Sequence, residues 1–170
     1  NLGKATAMKF IGGSWQSVGP AEGFSSSSIT AIFFAISSDN VPYAAYRIYV
    51  VGPPNTQEFR INKFGTNGWE SEGPPLLESP VISFAFHNDI PYVACFDIEN
   101  DGKATLKKLI DGSWQVVGQQ GFTAVTAYVA SVAINDNGLP YVVFNDGAND
   151  NRVTVMKYGS TMSIDDSVSE

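Results

Sequence analysis

The sequence predicts an all-β fold assembled from a repeated unit of four short strands. Three observations carry this. First, an apolar residue followed by Pro-Tyr recurs as Val41-Pro42-Tyr43, Ile90-Pro91-Tyr92 and Leu139-Pro140-Tyr141, with 49 residues from Pro42 to Pro91 and again from Pro91 to Pro140. Second, Lys plus an apolar residue precedes a Gly-containing turn at Lys9-Phe10, Lys63-Phe64, Lys108-Leu109 and Lys157-Tyr158. Three of these turns lead into tryptophan, as Gly13-Ser14-Trp15, Gly68-Trp69 and Gly112-Ser113-Trp114, whereas the fourth, Gly159-Ser160-Thr161-Met162, does not. Third, the apolar runs are short and rich in Val, Ile, Phe and Tyr, and Gly or Asn interrupts them before a helical period can build up.

Within one unit the strands follow in a fixed order. The first is the apolar stretch 29–36, 81–86 or 125–134, closed by an Asn/Asp-rich turn. The second covers 41–47, 90–97 or 139–145, with its Pro next to the strand start, where a missing N–H is tolerated. The third covers 5–10, 59–64, 104–109 or 153–158. The fourth is short: 15–18, 69–72, 114–117 and, in the last unit, 162–165.

Four short antiparallel strands repeating at 45 residues (Lys63 to Lys108) to 54 residues (Lys9 to Lys63) fit a β-propeller blade. A lone four-stranded sheet exposes two faces, and stacking such sheets side by side buries them. On this reading residues 1–170 form a single repeat domain of about 3.5 blades: a partial unit at 1–28, then 29–78, 79–124 and 125–170. Propellers usually have at least about four blades. The reading therefore implies self-association or additional blades from a longer parent chain.

The segments Lys4-Ala5-Thr6-Ala7-Met8-Lys9-Phe10, Gly112-Ser113-Trp114-Gln115-Val116-Val117-Gly118 and Leu139-Pro140-Tyr141-Val142-Val143-Phe144 resemble the repeats of secreted or surface microbial β-propellers. The resemblance runs over almost the whole chain. It implies the propeller fold and a setting outside the cell or at its surface. It assigns no activity, because that architecture hosts lectins, adhesins, scaffolds and enzymes alike.

Composition narrows the partners. With 44% hydrophobic and 16% charged residues the chain is not of the disordered class. Its net charge is −7 and its ten Lys and Arg are scattered, so a nucleic-acid partner is not expected, since phosphate binding needs clustered basic side chains. No apolar run approaches the roughly 20 residues of a membrane helix, and no membrane insertion is expected. The single cysteine, Cys95, excludes an intrachain disulfide and reads as a buried thiol in a strand.

Candidate site residues fall into three groups. Trp15, Trp69, Trp114, Tyr43, Tyr92 and Tyr141 recur once per unit; repetition points first to packing between units, and otherwise to stacking platforms for sugar rings. Asp97, Glu99 and Asp101, followed by Gly102, approximate the start of a calcium loop, although the distal bidentate Glu is missing; a plain solvated turn is the favoured account, so no cofactor is expected, with calcium as the alternative. The longer, apolar loop expected at 48–56 is a candidate contact surface. No nucleophile-elbow, phosphate-loop or metalloprotease motif occurs, so no catalytic residue is assigned, and His87 reads as a turn residue. The sequence thus points to a non-catalytic recognition module with a glycan as leading ligand. A protein-binding or structural scaffold, and a polysaccharide-acting glycosidase or lyase, are the alternatives.

Overall fold

In a computed structural model, residues 3–53, 55–77 and 81–159 are described. They are all-β apart from two 3-10 turns at Ile98–Asn100 and Gly147–Asn149. Among them no helix is long and apolar enough to cross a membrane. The chain divides into two compact units, Asn1–Glu78 and Ser79–Glu170, and the division falls on a boundary between predicted repeats.

The first unit opens with a hairpin of β1 (Met8–Ile11) and β2 (Ser14–Ser17), in register Phe10 opposite Trp15. It continues with β3 (Ile29–Ile36), β4 (Pro42–Val50), β5 (Thr56–Gly65) and β6 (Gly68–Ser71), antiparallel and in that spatial order. A two-residue strand, β7 (Leu76–Leu77), which the sequence pattern did not predict, also pairs with β5. The second unit holds β8 (Val81–His87), β9 (Ile90–Asp97), β10 (Lys103–Ile110) and β11 (Ser113–Val116), again in meander order. Next come β12 (Ala127–Ile134), β13 (Pro140–Asp146) and β14 (Arg152–Lys157). The expected last strand at 162–165 lies outside the described residues. The first strand of each complete repeat carries a register shift near its start: between Ile29 and Ala31, Val81 and Ser83, and Ala127 and Ala130.

One expectation is corrected. Residues 48–50 are not loop. Ile48, Tyr49 and Val50 extend β4 and pair with Glu58, Gln57 and Thr56. Ile48 is buried, and the Gln57 amide donates to the Tyr49 hydroxyl (3.0 Å). The extra residues lengthen both strands, because continuing the ladder satisfies backbone groups that a loop would leave to solvent. Val51, which follows β4, is 91% exposed.

The cores sit on the second strands, which have neighbours on both sides. Tyr43, Ala44, Ala45 and Tyr46 of β4 are buried, as are Tyr92, Val93, Ala94 and Cys95 of β9. In the second unit Tyr92, Ala94, Ala104 and Leu106 of one sheet pack against Val132, Val142 and Phe144 of the next, with Ala127. The Val132 N–H donates to the Ser83 hydroxyl (2.9 Å), tying the two first strands together.

The link from the fourth strand into the next repeat follows one pattern. Phe24 N–H donates to the Ala5 carbonyl and Phe122 N–H to the Ala104 carbonyl, both at 2.9 Å. The hydroxyl after each Phe accepts from the same alanine: Ala5 N–H to Ser25 and Ala104 N–H to Thr123, both at 3.0 Å. Each hydroxyl then donates onward, to Ser27 or Val125 carbonyl (2.7 Å), so these buried polar groups are satisfied.

Candidate functional site

The acidic loop is a structural turn. Asp97 ends β9 and is only 4% exposed. Its Oδ2 accepts from the Thr105 hydroxyl (2.7 Å) and the Gln120 amide (2.9 Å). The Thr105 Oγ1 in turn accepts from Gly121 N–H (2.8 Å). Burial alone would raise the Asp97 pKa. The donors Thr105, Gln120 and Asn100, with the Lys107 charge, outweigh it and hold the carboxyl below its ordinary value. Glu99 and Asp101 are exposed, and Asp101 adopts a left-handed conformation (φ 55°) that reverses the chain. The fourth repeat matches: Asp146 accepts from Thr154 (3.2 Å) and Ala148 N–H (3.0 Å), and Asp150 has φ 52°. Asp97 therefore turns inward, to Thr105 and Gln120. Among the described residues no group of three His, Cys, Asp or Glu side chains could hold a metal ion.

A pH dependence follows. The folded pKa of Asp97 lies below that of the unfolded chain, so its stabilisation is complete above the unfolded value of about 4 and is lost as pH falls through the folded value. Asp97→Asn should lower the melting temperature at pH 7 and flatten its fall on acidification below about pH 4. Thermal melts of both proteins between pH 2 and pH 7 measure this; parallel curves would show that Asp97 does not set the acid limb.

Two other reactive groups are engaged. Cys95 is fully buried, its thiol donates to the Thr105 carbonyl (3.3 Å), and burial pushes its pKa up to about 11. His87 Nε2 lies 3.1 Å from the Asn88 amide, and its ring also rests against Gly138 of the next repeat's turn.

The six recurring aromatics do not share one environment. Tyr43 and Tyr92 are buried and offer no open ring face; Tyr141 and Trp114 are half-buried. Trp69 stacks on Phe24 (centroids 4.1 Å, 15°), meets Phe64 edge-on at 5.5 Å and donates from Nε1 to the Val18 carbonyl (2.7 Å). It lies so close to Gly19 that an added Cβ there would sit 2.6 Å from the indole. Trp69 is therefore a packing residue between two repeats. Trp15, by contrast, is 65% exposed beside Phe10, itself 61% exposed. The structure brings these six rings to no common point within either unit that its contacts define.

A cavity of about 540 Å³ opens in the second unit between the third and fourth repeats. Leu106, Val117 and Phe122 line one side, and Val142, Met156 and Tyr158 the other. Gln119 and Lys157 contribute polar groups to its wall. The sequence pattern did not single out these residues. The available signal was the recurrence of Gly-Phe followed by Ser or Thr at Gly23-Phe24-Ser25 and Gly121-Phe122-Thr123, together with the missing fourth tryptophan.

The fold is all-β, built of antiparallel sheets, with a largely apolar cavity in the second unit. No family model matches the chain, and no curated protein matches it. Solved structures similar to it include a lectin and a glycoside hydrolase. One is a fucose lectin from Kordia zhangzhouensis in complex with methyl-fucoside, at 13% identity and a TM-score of 0.46, covering 77% of this chain and 94% of the lectin. The other is a thermostable family-43 glycoside hydrolase, at 9% identity and a TM-score of 0.48, covering 88% of this chain and 61% of the hydrolase. At these values neither neighbour defines this chain's ligand or activity.

Proposed function

We propose that the four-stranded sheets are propeller blades and that the protein is a non-catalytic recognition module, working outside the cell or at its surface, with a glycan as its ligand. The cavity between the third and fourth repeats carries this reading. Its volume is of the size that small-ligand sites have, and it is mostly apolar with a few polar groups, the composition such sites share. Phe122 and Tyr158 supply rings for the C–H face of a sugar, while Gln119 and Lys157 supply hydrogen-bonding groups for hydroxyls.

A scaffold or protein-binding role is favoured by one separate observation, the exposed apolar face of β1 and β2, where Met8, Phe10 and Trp15 are all more than half exposed. A glycan panel separates the two. The wild-type chain should bind at least one glycan, and Phe122→Ala should weaken that binding by about tenfold or more, equivalent to about 1.4 kcal/mol. A panel without any bound glycan would overturn the carbohydrate reading and leave the scaffold role.

A further inference from the structure

The second unit shows what one repeat lays over the next. There β12 packs beside β8, and Val132 and Val142 are buried against Tyr92, Ala94, Ala104 and Leu106. The equivalent positions of the first unit follow from the strand register. Phe34 stands opposite Ala44 and Ile36 opposite Pro42, just as Val132 stands opposite Val142 and Ile134 opposite Pro140. Val132 is 6% exposed, whereas Phe34 is 55% exposed. Ile32 and Ile36, on the same face of β3, are 47% and 58% exposed.

The difference lies in what the preceding repeat supplies. In the second unit β10 has β11 on one side and β9, then β8, on the other. Its counterpart β1 pairs with β2 alone among the described residues. Ala5 and Ala104 fix the equivalence, each accepting from the Phe of its own link at 2.9 Å. Val18 N–H donates to the Ala7 carbonyl, so Ala7, Lys9 and Ile11 direct their main-chain groups at β2. By alternation, Thr6, Met8 and Phe10 direct theirs outward. In β10 the matching Thr105 and Lys107 pair with Cys95 and Val93 of β9. Lys9 does not mark a protected edge, because its counterpart Lys108 sits opposite Tyr92 in a strand paired on both sides.

The composition of β3 suits burial on both faces. Ile29–Ile36 contains a single polar residue, Thr30. An antiparallel strand with one solvated face would alternate polar and apolar residues instead. One face is covered within the unit, where Phe33 meets Phe59 at 6.2 Å. The open face continues an interface that the unit already makes: on that side of the sheet Trp69 stacks on Phe24, and Ala44 and Tyr46 are buried.

We infer that the outer edge of β1 and the Ile32, Phe34 and Ile36 face of β3 form one protein-binding site, which takes a β-hairpin from outside these 170 residues. One strand of the hairpin pairs with Thr6, Met8 and Phe10, and the other lies over Phe34 and Ile36. A polypeptide supplies both things the site lacks: alternating N–H and C=O groups for the edge, and apolar side chains for the face. The second unit gives the pattern required, with Tyr92 and Ala94 on the strand beside β10 and Ala85 on the strand beyond it. The site is separate from the cavity and does not depend on its ligand.

A synthetic peptide of residues 83–97 with Cys95→Ser is the probe, added to the full chain at high dilution. Amide hydrogen exchange read by NMR should slow about tenfold or more at Thr6, Met8 and Phe10, with Ala7 and Lys9 unchanged. Val93→Pro in the peptide removes an N–H needed at the edge and should weaken binding about tenfold. Phe34→Lys in the protein should weaken binding to a similar extent without lowering the melting temperature, since Phe34 already meets solvent. The proline peptide leaves the protein unaltered, so that comparison stands even if Phe34→Lys does not fold. Unchanged exchange at Thr6 and Met8 with the peptide in large excess, or equal binding of the proline peptide, overturns the inference. Slowing of the same amides in the peptide-free chain as its concentration rises would put a second copy in the site and overturn the hairpin partner.

Discussion

Trp69→Ala should destabilise the protein by about 3–5 kcal/mol, the range for removing a large aromatic from a packed interior. Three losses coincide at this one side chain. The stack on Phe24 and the edge contact with Phe64 disappear, and with them the packing onto Ala44, Tyr46 and Ile48. The Val18 carbonyl loses its 2.7 Å donor. Gly19, which approaches the ring too closely for any side chain, is left against a void. Trp69→Phe separates these effects: it keeps a ring on Phe24 but removes the N–H, and should cost about 1 kcal/mol for the bond plus a smaller packing term. Denaturant titration of both variants measures this. A Trp69→Ala cost below about 1 kcal/mol would mean that the contact between the first two repeats contributes little to stability.

The 170-residue chain should self-associate at micromolar concentration. Phe10 and Trp15 form the same edge-on pair as Phe64 and Trp69, with centroids 5.5 Å apart in both. The Trp69 pair is closed over by Val18, Gly19 and Phe24 of the preceding repeat. The Trp15 pair is open, with Met8 54%, Phe10 61%, Ile11 51% and Trp15 65% exposed on one two-stranded hairpin. An apolar sheet face with unpaired strand edges is a template for association. Light scattering over a dilution series should give masses above 18.3 kDa that fall on dilution. The double variant Phe10→Lys, Trp15→Glu should bring the mass to the monomer value without lowering the melting temperature of the rest. A constant 18.3 kDa for the unaltered chain would show that this face is stable in water.

What the sequence by itself determined is the local, periodic part. Among the described residues, the Pro-Tyr and Lys-to-Trp spacings placed the second and third strands, and the fourth strands at 14–17, 68–71 and 113–116, to within a few residues, because the same spacing carries the same hydrogen-bonded meander each time. The turn at Asp97–Gly102 was legible too, since Asp and Gly accept the left-handed backbone that closes it, as the φ of 55° at Asp101 and 71° at Gly102 shows. What only the tertiary structure decided is the fate of identical side chains. Trp15 and Trp69 stand at the same position of the same motif, yet one is open to solvent and the other lies on Phe24 with its N–H satisfied. Asp97 stands in a sequence that fits an exposed polar turn, yet its oxygen faces inward, to Thr105 and Gln120. The cavity depends on two repeats at once: Phe122 comes from the end of one, while Val142 and Tyr158 come from the next. A repeat motif encodes the ladder within its own sheet. Whether a given ring is covered depends on the surface that a neighbouring repeat presents to it, and that surface is set by the packing of the sheets.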